Sequence, residues 1–261
     1  MTAVPYTTQL GAGLGMVSET QVLLELWQEG MDASSLNRIA LESGRFPNMS
    51  ARRLRNVVAE CFTPRFLREG AKPATLLKML TPLLSPREFE QLLFIFTCRA
   101  NPILADFVRE VYWNHYASGR ETLSNREAHD FVTRANQAGR TSAPWSPELI
   151  ERVAGYLTRC CADFGLLEPG IKKSRRLLPY RIQPRVAAIL AYELHYNGQA
   201  DDFVIADGCW GLFGMDRPDV LDELRRLALK RLLIVQTAGS LTRISWLHKN
   251  LEDLADALSQ G

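Results

Sequence analysis

Phosphate recognition is the first chemistry that the residue types and their spacing suggest. Positions 171–185 read IKKSRRLLPYRIQPR and carry Lys172, Lys173, Arg175, Arg176, Arg181 and Arg185 with no Asp or Glu. A second basic stretch lies at 45–72, where Arg45, Arg52, Arg53, Arg55, Arg65, Arg68 and Lys72 face only Glu60 and Glu69. Over the whole chain 31 Lys and Arg nearly cancel 29 Asp and Glu, leaving a formal charge of +2, so any electrostatic footprint is local. The plain alternative for such a run is a solvated face or a loop that does not pack. Arg52, Arg53 and Arg55 argue against it, because they fall in the first turns of an expected helix, where cations oppose the helix dipole. They are placed for phosphates or base edges rather than for helix stability. Lys172, Lys173, Arg175 and Arg176 read as flexible point charges on a wing, suited to phosphates rather than to base readout.

Other chemistries find little support. His115, His129, His195 and His248 form no HExxH and none lies near a cysteine pair. Cys61, Cys98, Cys160, Cys161 and Cys209 are odd in number and contain no CxxC, which reads as free thiols in a reducing compartment. GAGLG at 11–15 lacks the Lys of a phosphate loop and does not match GxGxxG, so it reads as an N-terminal arm or loop. No GxSxG is present, and nothing positions a base beside a Ser or Cys nucleophile. Asp201, Asp202, Asp207, Asp216, Asp219 and Asp222 are scattered through a loop and a helix start instead of converging as magnesium ligands do. The expectation is a protein without catalytic residues, metal or cofactor.

The elements that must position the basic residues are mostly helical. Ser18 with Gln21 has capping-box spacing for a helix over 18–28, Asp32 caps a second, and Ser50 caps a third, ARRLRNVVAECF. Apolar helices follow over 86–97 and 102–117, and Ser124 with Glu127 opens another over 124–137. Ser146 followed by Pro147 starts the helix PELIERVAGYLTRCCADF, which Gly165 stops and which turns Arg152 and Arg159 outward. RRLL and YRIQP then read as a basic β-hairpin before a helix over 184–196, the order of a winged helix-turn-helix. A weaker echo follows: a helix over 217–230, strands LLIVQ and TRISWL flanking TAGS, and a terminal helix LEDLADALSQ.

GRTSAPWSP at 139–147 marks a domain edge, giving an N-terminal helical domain over 1–140 with a helix-turn-helix-like element and a C-terminal domain over 141–261 with winged-helix-like hairpins. The N-terminus shows no early basic residue and no continuous apolar core of a signal peptide. EQLLFIFTCRANPILADFV is broken by Arg99 and Asn101 and falls short of the ~20 apolar residues of a membrane span, so a cytoplasmic protein with no membrane partner is expected.

These pieces resemble a known family. Tyr6-Thr7-Thr8, SETQVLLELWQEGM, NMSARRLRNVVAECFTPRF, EQLLFIFTCRANPILADFVREVYW, WSPELIERVAGYLTRCCADFGLLEPG and SLTRISW are similar to the BrxA proteins of BREX phage-defence systems, once labelled inner-membrane proteins. The resemblance covers most of the chain and rests on sequence texture rather than on catalytic signatures. It implies a mostly α fold with a helical core like that of the antitermination factor NusB, helix-turn-helix-type elements and short β-hairpins. It also implies sequence-tolerant binding of double-stranded DNA, no enzymatic activity, and an accessory role beside other BREX proteins. Arg52, Arg53 and Arg55 match the family's basic third helix. The alternative from another class is an assembly module whose arginines pair an acidic partner surface. RNA enters only through the NusB-like fold, which is analogy.

Overall fold

The computed structural model describes residues 4–239 and 241–259. Ser240, the last residue of the TAGS turn, and Gln260, the end of the terminal helix, lie outside the described residues. The chain divides into two compact units, one of residues 1–78 and 93–180, the other of 79–92 and 181–261. The domain edge expected at 140/141 falls inside the first of these.

The first unit is helical, with α1 at Val17–Leu26, α2 at Ala33–Glu42 and α3 running over 51–66. Asp32 accepts from Ser35 N at 2.8 Å and Ser50 from Arg53 N at 3.2 Å, so both caps act as their spacing requires. Ser18 does not cap α1: the N-cap is Met16, held at φ +45°, and Ser18 is already inside the helix. The middle of α3, Val57–Phe62, is wound as a π-helix, and so is Val108–Tyr112 within the helix Pro102–Ala117. Aromatic rings tie α3 and the later helices of the unit together: Phe66 with Phe96 at 6.4 Å, Phe94 with Phe164 at 5.3 Å, and Phe107 with Phe131 at 5.5 Å. Tyr6 straps the N-terminal segment to this core. Its hydroxyl donates to Asp106 at 2.7 Å, its backbone pairs with Arg140 and Ser142, and Arg140 lies over its ring at 4.7 Å.

The strand Thr122–Ser124 (β1) leads into the helix Asn125–Gln137 through the capping box expected of Ser124 and Glu127. Burial raises the Glu127 pKa, but bonds from the Ser124 N–H and hydroxyl and from His115 outweigh it and hold the carboxyl at about 2. A carboxylate depressed in this way stabilises the fold above its ordinary pKa, and that contribution is lost as pH falls toward 2. Between pH ~5 and ~2 the wild type is expected to lose about 1–2 kcal/mol more than Glu127→Gln, allowing for solvent screening. Denaturant midpoints measured across that range check it, and parallel curves would refute it.

The basic hairpin expected of RRLL (175–178) and YRIQP (180–184) does not form. Ser174–Arg176 (β2) pairs antiparallel with β1 instead, in the register Thr122↔Arg176, Leu123↔Arg175 and Ser124↔Ser174. Its other edge is taken by the turn after Asp163, where Glu168 N donates to Arg176 O at 2.9 Å and Leu178 N to Leu166 O at 2.9 Å. The would-be partner YRIQP is engaged elsewhere. The buried Gln91 donates to Arg181 O at 2.7 Å and accepts from Gln183 N at 2.8 Å, which holds 181–183 extended without a strand beside it. Both small sheets are two-stranded and antiparallel.

The second unit contains the other one. Leu233–Ala238 and Leu241–Trp246 form the hairpin expected around TAGS. It docks on the helix Pro184–Tyr196: the Tyr192 hydroxyl donates to Leu232 O and receives Leu247 N at 3.0 Å, and His195 stacks on Trp246 at 4.3 Å. Arg217–Leu229 starts in a capping box of Asp216 and Asp219, and Leu251–Ser259 is the last helix. Among the described residues no single helix is long and apolar enough to cross a membrane; only Pro86–Ala100 and Pro102–Ala117 taken together would be, and they are bent by 113°.

Candidate functional site

The sequence cluster 171–185 is one run in the chain but not one group in the fold. Lys172, Lys173, Arg175 and Arg176 belong to the first unit, Arg181 and Arg185 to the second. Lys172 pairs with Glu168 at 2.8 Å, both half exposed. Lys173 and Arg176 are exposed. Arg175 is not on a wing: it is 5 % exposed, and its Nη1 donates to Glu168 O at 3.0 Å. Strand alternation explains this, since Ser174 and Arg176 point outward from β2 and the residue between them must point in. Arg181 is exposed, and Arg185 is half-buried with its Nη1 on Leu83 O at 3.0 Å.

The 45–72 stretch keeps its surface charge only in part. Arg45 pairs with Glu25 at 2.6 Å. Arg65 is 4 % exposed, turned inward by the same helical period that exposes Arg55. Arg52, Arg53 and Arg55 remain outside, on the first turns of α3, while Leu54, Val57 and Val58 face the core. None of the three has an ion-pair partner among the described residues. That distinguishes them from the paired surface cations Arg140, Arg217, Arg225 and Arg226. The connection 43–50 between α2 and α3 is longer than the roughly three or four residues of the strict helix-turn-helix.

The remaining chemical candidates have structural work. Gly11, Gly13 and Gly15 lie so close to Tyr156, Cys61 and Asp163 that an added Cβ would come within 2.3, 2.2 and 2.5 Å of them. Gly15 N also donates to Asp163 at 3.1 Å. Burial raises the Asp163 pKa, against that bond and the pull of Arg175 and Arg159. Asp201 accepts from Ile244 N and the Trp246 indole, Asp202 pairs with Arg217, and Asp207 accepts from Cys209 N. All five cysteines are buried and none forms a disulfide, and burial pushes the thiols of Cys61, Cys160 and Cys161 up, which keeps them protonated.

Comparison with known proteins gives a family and a fold. The family model described as BrxA matches residues 4–193. No curated protein matches the chain. A solved structure, the crystal structure of an uncharacterized protein from Magnetospirillum magneticum, superposes with a TM-score of 0.58 at 18% identity, covering 80% of this chain and 99% of that one.

Proposed function

The chain belongs to the BrxA family of BREX phage-defence proteins, and from that premise we propose that it is a non-enzymatic, cytoplasmic accessory protein that binds duplex DNA mainly through phosphates. One observation carries the reading: Arg52, Arg53 and Arg55 stand exposed on the opening turns of one helix with no carboxylate to neutralise them among the described residues. Three like charges at a helix N-terminus oppose both the dipole and each other. A polyanion laid across α3 removes both penalties and releases counterions. Lys173 and Arg176, exposed in and beside β2, supply further phosphate contacts of the same kind. In this reading α2 and α3 act as a helix-turn-helix-type unit with an extended turn.

Titration of duplex DNA over about 50–200 mM salt tests the proposal. Wild-type affinity should fall steeply. Replacing all three arginines with Ala should lower the salt slope by about 1 for each phosphate no longer neutralised, about equally on two unrelated duplexes. Equal slopes for the two proteins, or no duplex binding at the lowest salt, would reject it. A second reading is docking to protein partners, as membership in a multi-subunit defence system implies. Phe203, Leu229 and Leu241, all in the second unit, are 70 %, 85 % and 71 % exposed, which suits docking of another subunit.

A further inference from the structure

A cavity of about 440 Å³ opens within the first unit, and its lining includes the cations Arg159, Lys172 and Arg175 and the apolar Leu14, Ala162 and Pro169. Cavities of roughly 300–1,000 Å³ hold small organic ligands. Arg175 gives this one a specific chemistry. Its guanidinium is almost wholly buried, its Nη1 is satisfied by Glu168 O, and its Nε has no partner among the described residues. A buried donor left unpaired is costly, so a small shift of the guanidinium that brings Nε against an acceptor in the cavity would recover an interaction that the chain itself does not supply. Lys172 and Arg159 add two exposed positive charges. Lys172 bridges to Glu168 at the surface, where an ion pair is worth little and exchanges readily. Asn125 and Thr158, also in the lining, are paired with each other, the Thr158 hydroxyl donating to Asn125 Oδ1 at 2.8 Å. The carboxylate in the lining, Asp163, accepts from Gly15 N at 3.1 Å and lies in the field of Arg175 and Arg159, so an entering phosphate competes with it for those two cations. Leu14 is held at φ +44°, a conformation costly for a branched side chain, at the apolar wall.

We propose that this cavity binds a small organic phosphate of nucleoside monophosphate size, its phosphate held by Arg175, Lys172 and Arg159 and its body against Leu14, Ala162 and Pro169. The cations select an oxyanion, and guanidinium donors match its geometry. The apolar wall and the volume select a phosphate with an attached body over the free ion. The site goes beyond duplex binding and stands without it, because it uses none of Arg52, Arg53 and Arg55.

Calorimetric titration of the full chain with AMP, inorganic phosphate and adenosine tests it. AMP is expected to bind saturably and at least about tenfold more tightly than either fragment. Arg159→Gln and Lys172→Gln should each weaken AMP about tenfold, with unfolding midpoints unchanged because both side chains are exposed. The variant lacking Arg52, Arg53 and Arg55 should bind AMP as the wild type does. No saturable binding up to about 1 mM AMP, or wild-type affinity in both Gln variants, would overturn the site. Inorganic phosphate binding as tightly as AMP would remove the organic body from the proposal. Displacement of AMP by duplex, with both Gln variants also losing duplex, would mean that the cavity takes a nucleic-acid phosphate and would overturn the small-molecule assignment.

Discussion

Gly13→Ala is expected to lower the stability of the protein by about 3 kcal/mol or more, at or above the upper end of what overpacking a core costs. A positive φ is not the reason, since Gly13 lies at φ −150°. The reason is space. The new methyl would lie 2.2 Å from Cys61 Sγ, 2.7 Å from Cys61 Cβ and 3.2 Å from Met16 Cγ. Cys61 is a short side chain on the buried π-helical part of α3 and cannot swing aside as the end of a lysine would. The 10–16 segment must therefore lift off α3, which also strains the contacts of Gly11 on Tyr156 and Gly15 on Asp163. Gly155→Ala is the control. It lies inside the helix Pro147–Asp163, and its added Cβ meets nothing closer than Arg159 Nη2 at 3.7 Å. There alanine should be neutral or stabilise by about 0.5–1 kcal/mol through helix propensity. Urea midpoints of the two variants decide the matter, and a Gly13→Ala protein as stable as the wild type would show that the segment does not pack as described.

Arg65→Met is expected to raise stability, by about 2 kcal/mol. Arg65 is 4 % exposed, and both its Nη1 and Nη2 are buried without a hydrogen-bond partner among the described residues. It sits near Cys61 and Cys160, whose thiols burial keeps neutral, so neither is a counter-ion. A charge removed from water with no counter-ion among the described residues is among the most expensive features a core can contain, and replacing even a paired buried charge by apolar side chains is often neutral or stabilising by about 1–4 kcal/mol. Met has similar reach and adapts to irregular space, so the change need leave no large void. Arg65→Lys, which keeps the charge, should not stabilise. A measured drop in stability for Arg65→Met would show that the guanidinium is satisfied by an ordered water or a bound anion, and would refute the expectation.

Much of the helical framework was legible in the residues because its determinants are local. Asp32, Ser50, Ser124 with Glu127, and Ser146 each act on a backbone N–H three residues away, a distance that the sequence itself displays. The Pro147, Pro184 and Pro102 starts and the hairpin between 233 and 246 are of the same kind, each decided within a few residues. The texture that identifies the family is likewise a property of the linear chain.

What the tertiary structure alone decided concerns partners far apart in sequence. The strand 174–176 chose β1 over its neighbour YRIQP because β1 and the 166–168 turn offer it two edges, while the Gln91 side chain takes the backbone groups of 181 and 183. That choice buries Arg175, separates 172–176 from 181 and 185 into different units, and turns an apparent wing into a cavity wall. The arginines of α3 show the same division. Their charge is written in the sequence, but only the packing of Leu54, Val57 and Val58 settles that Arg52, Arg53 and Arg55 face solvent while Arg65 faces the core. Charge is a property of a residue; the helical period settles which residues share a face, and only the distant side chains packed against that face decide that it is the covered one.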